Sequence, residues 1–467
     1  MAGLTSPSPL ELSTSRRQFL RLSLGGISAA ALAVAGCSNF TSSSSSNNNT
    51  PGAAGGTFTF TFWGTGAEKT AVSNVVNEFC QTKGLTPKPQ SIPDGYETKL
   101  NTLIAANTPP DAGYLTESMA MRLGEQGKIV SVAGKPGFDE YLPSTLHHWT
   151  QDQAVSQTAV EVMVFWYDSD ATSKAGVTPP ATSAQAWDFN ALAEAADKLT
   201  VDDNGRHPSE SGFDPKNVKV YGVGAPTNLI ALTALLKSNG VDLFDEQGTK
   251  TNIDSPEAIE VFQAIADLIF KHRVAPTPAQ ATTFGASTAL LLASKRVAMA
   301  VDGQWALLDL AQTKGLKFNA GVLPKFDTPI TAIVGGASAV FAGSKNQDAG
   351  MELLIQMGDP TKVPLYSNGL WMPMQKKYYT DDAAIKTWVK EGVHPSNYRT
   401  AVIEPTLNNP VPYPSYKIKN FTSTISTTLN NGLGPLFTQE SDIASAVKKL
   451  AASVNKQMQG AYPDVIG

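Results

Sequence analysis

Polar and apolar residues alternate strictly through Thr57-Phe58-Thr59-Phe60-Thr61-Phe62-Trp63. That two-residue period belongs to a β-strand with one buried face. Gly64-Thr65-Gly66 breaks the strand, and from about Glu68 the apolar residues fall at helical spacing: Val72, Val75, Val76, Phe79. A strand, a glycine turn and a helix form the opening unit of an α/β domain. Further on, Ser255 and Pro256 occupy N-cap and first-turn positions, and the predicted helix carries Ala258, Val261, Phe262, Ile265, Leu268 and Ile269 on one stripe. Val297 to Val301 reads as a short buried strand, which Asp302-Gly303-Gln304 turns into a helix from Trp305. A last helix is predicted from Ile443, Ala446, Val447, Leu450, Val454 and Met458, ending before Gly460. Strands and helices alternate without a tandem repeat, so the expected class is α/β.

The first 36 residues carry a different pattern. Arg16-Arg17 precede a short apolar run from Leu22 to Ala35, diluted by Ser23, Gly25, Gly26 and Ser28. A stable transmembrane helix wants about 20 strongly apolar residues, so this run reads as a secretion signal of twin-arginine type. Its exit, Val34-Ala35-Gly36-Cys37, resembles the bacterial lipobox, which implies a lipid on Cys37 and an anchor to the membrane. Residues 37–56, a Ser/Asn/Gly-rich stretch, cannot bury enough apolar area to order themselves and are expected to form a tether. Beyond it lie roughly 410 residues, enough for two lobes.

Charge narrows the partners. The whole chain has a formal charge of −5; removing residues 1–36 takes away Glu11, Arg16, Arg17 and Arg21, a net +2, and leaves −7. With no basic patch to neutralise phosphates, nucleic acid is not an expected partner. Cys80 follows Phe79 on the first helical stripe and reads as a packed thiol.

Open α/β sheets bind ligands in loops that link strand ends to helix starts. Here those loops are Trp63-Gly64-Thr65-Gly66, Thr116-Glu117-Ser118, Pro226-Thr227-Asn228, Asp302-Gly303-Gln304-Trp305 and Gly335-Gly336. An indole face beside amides and hydroxyls suits a sugar, with its apolar C–H faces and polar rim. Enzyme signatures are few. The chain has no Gly-x-Ser-x-Gly elbow, no Walker loop and no His-Glu-x-x-His. Gly64-x-Gly66 and Gly222-x-Gly224 lack the third glycine of a dinucleotide turn, so no cofactor is expected. His147 and His148 are adjacent and read as no metal site. Tyr378-Tyr379 lie in a Lys-rich run and are expected at the surface. Asp202-Asp203-Asn204-Gly205 is expected to be a β-turn rather than a calcium loop, whose closing Glu is missing. A pair of carboxylates in a cleft would make a glycosidase, and spacing alone leaves that open.

From Gly56 to about Gly460 the chain resembles family 1 extracellular solute-binding proteins of ABC importers. The resemblance rests on ordered segments: Thr59-Phe60-Thr61-Phe62-Trp63; Ala105-Ala106-Asn107-Thr108-Pro109-Pro110-Asp111; Phe165-Trp166-Tyr167-Asp168; Ser238-Asn239-Gly240-Val241-Asp242-Leu243-Phe244; Val297 to Ala306; and Gly335-Gly336 before Ser344-Lys345-Asn346. It implies a two-lobed periplasmic-binding-protein fold with three interlobe crossovers, near Glu161–Asp168, Lys325–Ala332 and Lys390–Pro395. One lobe would hold 57–163 plus 330–392 and the other 168–325 plus 396–462, with the ligand in a cleft that closes by hinge motion. By motif position it implies that Trp305 stacks on a sugar, that Gly303 brings backbone near it, and that Glu161 accepts from its hydroxyls. Asp302, Asn228, Thr116, Glu117, Ser118, Trp63 and Gly335-Gly336 join the implied ligand set, with Trp371 and Arg399 added near the last crossover. The implied function is capture of a mono- or oligosaccharide, by a monomer, for delivery to the transmembrane subunits of an ABC permease. The alternatives are a secreted glycan-acting hydrolase and a binder of another solute such as glycerol phosphate or a polyamine.

Overall fold

The computed structural model describes residues 56–285 and 287–463. Cys37, the signal-like segment 1–36 and the tether up to residue 55 lie outside the described residues. The chain divides into two compact units, one running to Gly113 with Gly343–Leu353, the other Tyr114–Ala342 with everything from Leu354 onward.

In the smaller unit, β1 (Thr57–Phe62) lies parallel to β2 (Thr86–Ser91) and to the first two residues of β3 (Ala112–Leu115), with Phe60 opposite Ala112. The alternation does what it predicted: Phe58, Phe60 and Phe62 are fully buried. The helix Gly66–Lys83 covers them with Val72, Val75, Val76, Phe79 and Cys80, and the Phe58 and Phe79 rings meet edge to face at 6.3 Å. Each such aromatic contributes about 1.5–3 kcal/mol by leaving water. Burial, and then the nearby charge of Asp111, push the Cys80 thiol up to about 11, so it stays protonated and inert.

Two family-like segments turn out to be one clamp. Asp111 Oδ2 accepts from the Thr59 amide at 2.7 Å, while Oδ1 accepts from Ser344 Oγ at 2.6 Å and Asn346 Nδ2 at 3.0 Å. Asn346 Nδ2 also donates to the Thr57 carbonyl at 3.2 Å. The aspartate thereby ties the first strand to a segment more than two hundred residues away in sequence.

The larger unit holds β4 (Leu146–Thr150), β5 (Gln153–Gln157), β6 (Glu161–Asp168), β7 (Val201–Asp202), β8 (Val218–Gly224), β9 (Val297–Gly303), β10 (Phe318–Gly321), β11 (Thr331–Val334), β12 (Ala337–Val340) and β13 (Pro410–Pro412). β12, β5 and β4 pair antiparallel in that order. A second sheet runs β13-β11-β6-β9-β8-β7, with β10 also on β6. β6 and β9 are buried along their whole length, and their stretches 162–167 and 297–301 are unbroken apolar runs, as suits central strands. The helices Leu229–Ser238, Pro256–Phe270 and Ile443–Asn455 pack around this sheet through Leu232, Leu235, Phe262, Ile265, Val447 and Val454. Ser255 Oγ caps its helix by accepting from the Ala258 amide at 3.1 Å, with Pro256 in the first turn.

Three expectations change or gain detail. The last helix stops at Asn455, and Met458 reaches the core from beyond its end. Tyr378 and Tyr379 are buried instead of surface residues, because the turn Lys377–Thr380 points both rings inward while Lys376 and Lys377 face water. Tyr379 donates to the Pro373 carbonyl at 2.5 Å. The Asp202 turn forms as expected: Oδ1 accepts from the amides of Asn204 (2.8 Å) and Arg206 (2.9 Å), and Oδ2 from Asp214 (2.9 Å). Both oxygens are taken by backbone.

Candidate functional site

Strand directions decide where the candidate residues gather. β8 and β9 run parallel, β11 and β13 run parallel, and both β9 and β11 run antiparallel to β6. The carboxyl ends of β8, β9, β11 and β13 therefore meet the amino end of β6 along one edge of the sheet. Asn228, Trp305 and Gly335 follow three of those carboxyl ends, Gly303 is the last residue of β9, and Glu161 is the first residue of β6.

Register ties the set closer. Gly303 lies opposite Met163 and the Gln304 amide donates to the Val162 carbonyl at 2.7 Å, so Trp305 leaves the strand level with Glu161. On the other side of β6, Val334 lies opposite Glu161, and Gly335 follows it. A buried carboxylate thus sits between an indole and a glycine turn.

Trp305 is half-buried at the start of the helix Ala306–Gln312, and its ring lies flat over Gly303. A Cβ at Gly303 would fall 2.2 Å from three ring carbons, so no larger residue fits beneath the indole. The Gly303 carbonyl accepts from the indole of Trp166, itself fully buried, at 3.2 Å. These contacts fix the platform from below. Asp302 serves the same construction: one oxygen accepts from Thr288 Oγ1 at 2.5 Å, the other from the Gly303 amide at 2.8 Å. Its carboxylate organises the turn.

Gly335 is equally constrained. Its Cα lies against the Ala159 carbonyl, which a Cβ would approach to 2.4 Å. The Gly335 carbonyl accepts from Tyr416 Oη at 2.8 Å, and the Gly336 carbonyl from the Thr158 amide at 2.6 Å. Thr116, Glu117 and Ser118 are half-buried at the start of the helix Glu117–Glu125. Asn228 is exposed, and its side-chain oxygen caps the helix Leu229–Ser238 by accepting from the Ala231 amide at 2.8 Å.

Two further expected residues are held by other partners, and a third belongs to the smaller unit. Trp371 is only 4% exposed, its ring packed on Tyr366 (5.6 Å) and Tyr114 (6.3 Å). Arg399 is exposed and ion-paired with Asp382 and, at 3.8 Å, Glu404. Trp63 belongs to the smaller unit, half-buried and edge-on to Tyr96 at 5.3 Å. Tyr96 in turn donates to the Thr61 carbonyl.

Sequence patterns had not pointed to Tyr413. It follows β13 at the same sheet edge, half-buried, its ring edge-on to Phe421 at 5.2 Å. Burial, reinforced by the negative charge of Glu117, raises its phenol, so it stays a neutral donor near a carboxylate. β13 is a three-residue strand with prolines at both ends, a weak signal in any sequence. Among the described residues no group of three or more His, Cys, Asp or Glu could hold a metal ion.

Residues 63–360 match the family model for bacterial extracellular solute-binding proteins. The chain belongs to that family of exported binding proteins. A maltotriose-binding protein from Pyrococcus abyssi is 23% identical over 259 residues, 54% of this chain, and the chain spans about half (51%) of that relative's length. An ABC substrate-binding protein of Listeria monocytogenes, solved in complex with cycloalternan, superposes with a TM-score of 0.68 at 24% identity. It covers 86% of this chain and 99% of its own. The GacH receptor of Streptomyces glaucescens, solved unliganded and with acarbose, gives 0.68 at 18% identity, covering 86% and 98%. These likenesses establish the two-lobed α/β fold.

Proposed function

We propose that this protein captures a sugar of two or more rings outside the cytoplasmic membrane and hands it unaltered to the permease of an ABC importer. The observation that carries this reading is the Trp305 indole, laid flat on Gly303 with Glu161 level with it. A flat apolar face beside a carboxylate matches a pyranose, whose C–H face stacks while its hydroxyls donate. Width favours more than one ring. From β9, which presents Trp305, to β13, which presents Tyr413, the sheet order counts three inter-strand steps, about 14 Å. The relatives solved or described with acarbose, cycloalternan and maltotriose support the same class. Asp302 has both oxygens engaged by Thr288 and Gly303, which suits a binding site better than a pair of working acids.

A calorimetric panel of maltose, maltotriose, a manno-oligosaccharide, glycerol 3-phosphate and a polyamine tests the reading. Binding of an oligosaccharide, recovered intact afterwards, is the expected result. The radius of gyration from small-angle scattering should shrink on saturation, as closure of a two-lobed receptor requires. Exclusive binding of the phosphate or the amine would replace the sugar assignment, and cleavage products would replace the non-enzymatic one.

Anchoring follows from Val34-Ala35-Gly36-Cys37 and the polar stretch after it. We infer that Cys37 carries the lipid and that the tether holds the body clear of the membrane; no helix among the described residues is long and apolar enough to cross one. Two or more acyl chains are needed for firm attachment. Cys37→Ser is expected to move the protein from the membrane fraction to the soluble fraction; an unchanged distribution rules the anchor out.

A further inference from the structure

Behind the Gly335-Gly336 turn, on the side away from Trp305 in the strand order, lies a polar stack that the sugar reading does not use. Tyr416 and His147 are both buried, and their rings stack at 3.5 Å with an interplanar angle of 4°. Tyr416 Oη donates to the Gly335 carbonyl at 2.8 Å. The Gln157 amide donates to His147 Nε2 at 3.2 Å, which places the ring proton on Nδ1 and leaves the imidazole neutral. Burial, and then His148, push that histidine down to about 3, so it stays neutral throughout the working range. Gln157 is 2% exposed, and its Oε1 has no partner among the described residues. That same oxygen would lie 3.3 Å from a Cβ at Gly335. Gln157 also pairs with Ala337, just past the turn.

A stack of two flat rings is a stiff support. The tyrosine cannot swing without giving up the imidazole face, and the imidazole is held by Gln157 on a neighbouring strand. The hydroxyl at the end of the stack holds a backbone carbonyl one residue beyond Val334, which lies opposite Glu161. Few local alternatives exist for that carbonyl, since the turn is pressed against Ala159 as well.

We propose that Tyr416, braced by His147 and Gln157, is a positioning residue of the sugar site: it sets the Gly335-Gly336 backbone against which Glu161 and the ligand are aligned. The proposal rests on the sugar reading for its affinity arm and on the turn itself for a second arm. Tyr416→Phe keeps the ring stack and removes the hydrogen bond. It should weaken binding of the tightest sugar in the panel about tenfold, the size of one lost hydrogen bond, measured well below the melting transition. In ligand-free protein, amide exchange across residues 331–342 should quicken. His147→Phe, which preserves a flat partner ring, should hold affinity within about threefold of the parent, whereas His147→Ala should lose as much as Tyr416→Phe. A Tyr416→Phe affinity within twofold of the parent overturns the proposal, even if the melting temperature falls, because a merely structural hydrogen bond would act on stability alone. If the parent binds no sugar, the sugar reading fails, and the exchange arm decides the positioning by itself: faster exchange in Tyr416→Phe sustains it and unchanged exchange ends it.

Discussion

Trp305→Ala is expected to weaken sugar binding by thirtyfold or more while leaving the ligand-free protein nearly as stable as before. The indole is half-buried, so part of its surface is already in contact with Gly303 and the core around β9, and part faces outward at the sheet edge. Truncating an aromatic at a binding hot spot commonly costs at least ~2 kcal/mol, and each 1.4 kcal/mol is about tenfold in affinity. A fully buried aromatic would behave differently, since large-to-small core changes cost ~3–5 kcal/mol of stability. Trp371, almost entirely enclosed by Tyr114 and Tyr366, supplies the contrast within one molecule. Trp371→Ala should lower the melting temperature by several degrees. Calorimetry on both variants separates the two roles. Affinity that survives the loss of Trp305 would remove the stacking platform from the account.

A large effect on stability is also expected at Asp111. Replacing it by Ala strands the Thr59 amide, the Ser344 hydroxyl and one donor of Asn346 at once. Hydrogen bonds to a charged group contribute ~1.5–3 kcal/mol each, and donors left unpaired add their own desolvation penalty. Losses within one network do not sum, so about 3 kcal/mol is the expected total, a fall of roughly 5 °C in melting temperature. Asp111→Asn should cost about half as much. Its one remaining side-chain oxygen can serve either the Thr59 amide or the Ser344–Asn346 pair, and its amide group faces the other. Sugar affinity measured far below the transition should move less than stability in either variant, because the Asp111 carboxylate bonds Thr59, Ser344 and Asn346, none of them a candidate ligand contact. Melting curves of the two variants that coincide with the parent's would show the clamp to be idle.

Much of the fold was legible in local pattern. The alternation from Thr57 to Phe62 buried its phenylalanines, the Val72-Val75-Val76-Phe79 stripe covered them, and Ser255-Pro256 opened a capped helix. Short-range periodicity and capping chemistry act within a few residues, so a chain carries them wherever it goes. The candidate site was partly legible for the same reason. Trp305 and Gly303 are two positions apart, and the indole over a glycine is a local arrangement. Glu161 was reachable only through the resemblance, since a lone glutamate before an apolar strand has no local signature.

The rest belongs to contacts between residues far apart in sequence, where nothing local constrains the choice. Tyr416 reaches Gly335 across 81 positions, and His147 stacks on Tyr416 from much further away. Pro109-Pro110-Asp111 and Ser344-Lys345-Asn346 were visible as separate family-like segments, but that one carboxylate joins them emerges only when β1, the residues leading into β3 and the start of the helix Gln347–Met357 share a unit. Trp371 and Trp305 are the same residue type, each two positions after a glycine, and the family resemblance placed both among the ligand contacts. Burial separated them: the neighbours that arrive at each indole are supplied by other elements, aromatic rings in one case and an open sheet edge in the other. Residue type and spacing determined which chemistry this chain could present, while strand order and register decided which of those groups meet.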